Sequence, residues 1–106
     1  MYSFEDIKER SASVTSLILS YTDAMEILYL YGEKSVVVSG WDGWIVQSSG
    51  GLRMSQRHQG PAKISSLPQE AAIALAKGTI MQAHVEWEEN PEDEDAQLFF
   101  HVRLPN

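Results

Sequence analysis

GTIMQAHVEWEENPEDEDAQLFFHVRL, residues 78 to 104, decides how this chain folds, because it sets two alternating runs on either side of a dense block of acids. In the first run Met81, Ala83, Val85 and Trp87 alternate with Gln82, His84, Glu86 and Glu88. In the second, Leu98, Phe100, Val102 and Leu104 alternate with Gln97, Phe99, His101 and Arg103. Apolar residues at period two mark a half-buried strand. The spacing predicts a hairpin in which residue 88 faces residue 97, Val85 and Phe100 are buried, and His84 and His101 pair on the outer face. A slip of one residue would turn every side chain over, so the register is constrained. The acids then form the hairpin tip.

That tip dominates the electrostatics. The chain has 15 acids against 8 bases, a net charge of −7, and seven of the acids are Glu86, Glu88, Glu89, Glu92, Asp93, Glu94 and Asp95. The rest of the chain balances at eight against eight. No acid occurs between Gly43 and Gln69, where Arg53, Arg57, Lys63 and His58 lie. An acidic field repels nucleic acid and anionic lipid and favours a basic protein partner. The composition, 43% hydrophobic and 22% charged over 106 residues, suits a single α+β domain spanning 1–106. MYSFEDIKER carries no apolar signal core, and no stretch reaches the roughly 18 apolar residues of a membrane span. With no cysteine, disulfides, thiolate nucleophiles and cysteine-held zinc are excluded, and a reducing cytoplasm is the expected compartment.

Working toward the N-terminus, SSLPQEAAIALAKG predicts a helix of about eleven residues, capped by Ser66 and closed at Lys77-Gly78. The preceding stretch, residues 49 to 66, reads as a long loop with a short strand at 52 to 55. MEILYLYGEKSVVVSGWDGWIVQSS is rich in β-prone residues and predicts a meander with strands near 25 to 31, 34 to 41 and 44 to 49. Its turns fall at Gly32-Glu33 and Asp42-Gly43, which sets Trp41 and Trp44 as neighbours across a hairpin end, either closing the core or offering an aromatic contact. Phe4, Ile7, Val14, Ile18 and Tyr21 follow helical spacing behind a Ser3 cap; a break near Ser13 into a strand is the alternative. The expected order is α-β-β-β-α-β-β, a two-layer α+β domain with its helices on one face of an antiparallel sheet. That order, with small size and acidic pI, is similar to the body of type III secretion chaperones without their final helix.

Motifs for catalysis or metals are sparse. Asn90 to Asp95 supplies oxygens but lacks the glycine and distal glutamate of a calcium loop. His84, His101 and Glu86 are suitable ligand types for a surface zinc site, yet solvated imidazoles explain them as well. The glycines near Arg53 match neither a phosphate loop nor a dinucleotide fingerprint. No cofactor or metal is therefore expected. The leading functional expectation is a small non-enzymatic inhibitor or immunity-type protein, monomer or homodimer, whose acidic tip with Trp41 and Trp44 meets a basic partner. Two others stand beside it: a chaperone-like or adaptor dimer binding an apolar segment, and a small enzyme or anion binder using Arg53, Arg57, His58 and Lys63.

Overall fold

The computed structural model describes residues 3–105. In chain order they form α1 (Phe4–Glu9), α2 (Tyr21–Glu33), β1 (Gly40–Gln47), β2 (Leu52–Gln59), a 3-10 turn (Ala62–Ser66), α3 (Gln69–Glu89) and β3 (Ala96–Arg103). The class is α+β, with an antiparallel sheet of order β2-β1-β3 and the helices packed on one of its faces. The element order differs from the expected one, and with it goes the likeness of order to secretion chaperones.

α1 begins as its sequence dictates: Ser3 and Asp6 form a reciprocal capping box. It stops at Glu9, and neither a longer helix nor a strand from Ser13 follows. Arg10 instead reaches the buried Asp23 through two bonds of 2.9 Å, pinning α1 to the start of α2. Only Leu19 pairs with the sheet in this stretch, exchanging two backbone bonds with Phe100.

The strand expected at 25 to 31 is the body of α2. Ala24, Ile27, Leu28 and Tyr31 are buried at helical spacing, and Ser20 caps the end by accepting from the Asp23 N–H. The face to be buried outweighed the β-prone composition. Gly32-Glu33 is no hairpin turn but the last turn of this helix. Ser35 follows at a φ of 56°, and the Ser35 and Val36 N–H groups bond back to Gly32 and Tyr31, a Schellman stop without its usual glycine.

The largest correction concerns 79 to 88, which continues α3 to a length of 21 residues instead of forming a strand. Ile73, Ala76, Ile80, Ala83 and Trp87 make an unbroken stripe of period 3.6 through Gly78. Gly78 is exposed, and its cost of about 1 kcal/mol relative to alanine does not end a helix packed on both sides of it. Met81 and Val85 are therefore about half exposed, whereas Phe100 is fully buried as expected. Ser66 belongs to the 3-10 turn rather than to a cap of α3. The helix ends at Asn90, ahead of Pro91.

β3 keeps its predicted alternation, with Leu98, Phe100 and Val102 buried, but its partner is β1, in the register Trp44↔Phe99 and Trp41↔Val102. Asp42-Gly43 lies within β1, so Trp41 and Trp44 flank no turn and face opposite sides. Trp41 is in the core, its indole N–H donating to Thr79 at 2.8 Å. The expected long loop contains a full second strand, β2.

Candidate functional site

The acidic run and the basic stretch, far apart in sequence, meet at one end of the molecule. A bulge in β2 arranges the meeting. Between Asp42↔Gln59 and Trp44↔Met54, β2 holds more residues than β1, and the surplus turns both Ser55 and His58 inward. Gln59 closes the bulge by donating its side-chain amide to the Ser55 carbonyl at 2.6 Å. Gly43 makes it possible: a Cβ there would overlap the His58 carbonyl oxygen.

Ser55 is fully buried and His58 nearly so. The Ser55 hydroxyl donates to Glu92 at 2.8 Å and lies 2.9 Å from His58 Nδ1. His58 Nε2 meets Glu86, which Arg57 also engages. Both ring nitrogens of His58 thus have oxygen acceptors in reach. The ring stands edge-on to Trp87 at 5.9 Å, and Arg57 donates to the Asn90 carbonyl at 3.3 Å, at the open end of α3. That end carries Glu86, Glu88 and Glu89 with no base in its last turn, an unfavourable match to the helix dipole. Arg57 supplies from β2 the cation that α3 lacks, and His58 adds a hydrogen-bonding partner for Glu86.

Two shifts record these contacts. The hydrogen bond from His58, reinforced by Arg57, holds the Glu86 carboxyl below its usual range. The hydrogen bond from Gln47 lowers Asp93 likewise, with help from the Asp95 N–H and the charge of Arg53. Lys63 sits apart on the 3-10 turn.

The acids therefore fall into two sets. Glu86, Glu92 and Asp93 are tethered to β2 and β1. Glu88, Glu89, Glu94 and Asp95 are exposed, and among the described residues Glu89, Glu94 and Asp95 have no cation within ion-pair distance. The run is a helix end and a loop rather than a hairpin tip. His84 and His101 are not a pair: His84 stacks on Tyr21 at 4.1 Å and lies 3.9 Å from Glu88, and His101 Nδ1 is 3.0 Å from the Leu17 carbonyl. Among the described residues no three metal-ligating side chains converge.

Serine, histidine and glutamate in contact invite a nucleophilic reading, but the geometry opposes it. The Ser55 proton goes to a carboxylate, and no substrate reaches a side chain with no exposed surface. A cleft of about 470 Å³ beside Arg57 and His58 is walled by Trp41, Gln82 and Glu86, with the Arg57 guanidinium and the His58 ring already facing Glu86. Sequence reading missed Ser55 and Gln47, whose polar side chains carry no spacing signal. No described helix is long and apolar enough to cross a membrane. Compared with known protein families, curated proteins and solved structures, the chain matches none.

Proposed function

We propose that this chain is a non-enzymatic protein-binding module of inhibitor or immunity type, which presents Glu88, Glu89, Glu94 and Asp95 to a basic, nucleic-acid-binding groove of a partner protein. The observation that carries this is the division of the acids. Three are tied to Gln47, Ser55, Arg57 and His58, and these ties fix the segment from which the other four project. A segment held in place loses less conformational freedom on binding than a free loop. Projecting carboxylates occupy positions that phosphates take in such a groove, and complementary fields accelerate encounter. A cysteine-free chain suits a meeting in the reducing cytoplasm.

Capture from native cell extract at low and moderate salt tests this, using the wild-type chain and the variant Glu88→Gln, Glu89→Gln, Glu94→Gln, Asp95→Asn. The expected result is a basic protein held by the wild type at low salt, reduced at moderate salt, and lost with the variant. Equal capture by both chains would refute it.

A further inference from the structure

The face of the sheet opposite the helices carries a partly exposed apolar patch. Trp44 and Val46 of β1 lie beside Met54 and Leu52 of β2, and Phe99 of β3 stands against Trp44 from the other side. None of the five belongs to the core cluster, and Leu52 and Met54 are 39% and 41% exposed. Tryptophan, phenylalanine and methionine are the types enriched where proteins meet. The Trp44 indole N–H is buried with no acceptor among the described residues, although Trp41 has one in Thr79. A buried donor left unpaired is costly, and a carbonyl brought by a docking chain would satisfy it once neighbouring side chains made room.

We infer that this face docks an apolar segment of the same basic partner, with lysine or arginine of that segment over Glu94 and Asp95; the inference rests on the protein-binding reading above. Charge selects the occupant. Glu94 and Asp95 border the end of the sheet where Val46 and Gln97 lie. At the far end Arg103 is already paired with Asp42 at 3.4 Å. A second copy of the chain fits poorly. Three strands of 8 residues present a face of roughly 400 Å², so two copies would bury on the order of 800 Å², short of the roughly 1,200 Å² of a stable interface. Two chains of net charge −7 also repel each other. A basic partner has no such repulsion, and its contact continues past the sheet onto the acids.

The test uses the isotope-labelled full chain and two short synthetic peptides, one alternating leucine with lysine and the other serine with lysine. The signals followed are the indole N–H groups of the three tryptophans and the backbone amides of 88 to 95. The leucine peptide should shift the Trp44 indole signal and leave that of Trp41 in place, binding roughly tenfold or more tighter than the serine peptide. The double variant Leu52→Ser, Met54→Ser, at two exposed positions, should remove that preference with the Trp41 signal still reporting a folded core. Equal binding of both peptides, with shifts confined to 88 to 95, would overturn the inference and leave the acidic surface standing. Binding of neither peptide would remove both. A Trp44 signal that moves with protein concentration alone would assign the face to a second copy and overturn the inference.

Discussion

Ser55 Oγ lies 2.8 Å from a carboxylate oxygen of Glu92, so a completely buried hydroxyl in the β2 bulge holds the middle of the acidic run. Without that hold, a loop carrying this many like charges would stay extended and wander. With it, charge is displayed from a fixed position.

Stability should separate the two sets of acids. Glu92→Ala should cost on the order of 1–3 kcal/mol, because it removes a charged acceptor from the buried Ser55 hydroxyl. Neutralising Glu88, Glu89, Glu94 and Asp95 together should leave stability equal or slightly higher, since it relieves crowded like charges, two of them at the wrong end of a helix dipole. Chemical denaturation of both variants checks this, and a marked loss in the second would show that the exposed acids are structural.

Phe100 and Val85, expected to pair across a hairpin, should now behave oppositely. Phe100 is fully buried against Trp41 at 5.5 Å, and its replacement by alanine should cost about 3–5 kcal/mol. Val85 is 49% exposed on a helix, where alanine is the better helix former, so Val85→Ala should change stability by less than about 0.5 kcal/mol. A large loss at Val85, read from denaturant midpoints, would return residues 79 to 88 to a strand.

Gly43 is the glycine of the sheet with the least room for a side chain. Gly43→Ala drives a methyl group into the His58 carbonyl, which belongs to backbone and cannot swing away. The expected cost is about 1–3 kcal/mol. The Trp87 environment should change with it, since His58 packs on that ring. Near-ultraviolet circular dichroism and a melting curve report both effects, and an unaltered spectrum with unaltered melting would remove the bulge.

Acid should loosen this end of the molecule. Glu86 and Asp93 are held below their ordinary values of 4.5 and 3.8 by the bonds from His58 and Gln47 respectively. A carboxyl whose pKa is lower folded than unfolded contributes stability that is complete above the unfolded value and is lost as pH falls through the folded one. Stability should therefore decline below about pH 4.5, and Glu86→Gln should flatten the upper part of that decline. Denaturation midpoints from neutral to acid pH measure it, and a wild-type profile identical to that of Glu86→Gln would contradict the coupling.

The α+β class and some of the elements were legible in the chain, in proportion to how local their causes are. The Ser3 cap and the alternation of Leu98, Phe100 and Val102 depend on neighbours a few residues away, and both were read correctly. The stretch from Met81 to Trp87 satisfies a strand period and, joined to Ile73, Ala76 and Ile80, a helical one. Only the packing of the whole length of α3 decides between them. In α2, aromatic and branched residues spoke for a strand, yet Ala24, Ile27, Leu28 and Tyr31 held the helical stripe. At the site, the acidic run and the cations Arg53 and Arg57, with His58 beside them, were visible in the chain. Their union required the β2 bulge, which depends on Gly43 and Gln59 across the sheet and leaves no pattern in sequence.

The most direct test of the acidic surface is the affinity of the captured partner for the wild-type chain and for the variant neutralised at Glu88, Glu89, Glu94 and Asp95, measured at low and at moderate salt. Wild-type affinity should fall as salt rises, because exposed charges are screened over roughly 10 Å at 0.1 M. The variant should bind more weakly at low salt, by roughly tenfold or more, and respond little to further salt. Equal affinity of the two chains, with the same dependence on salt, would contradict the account.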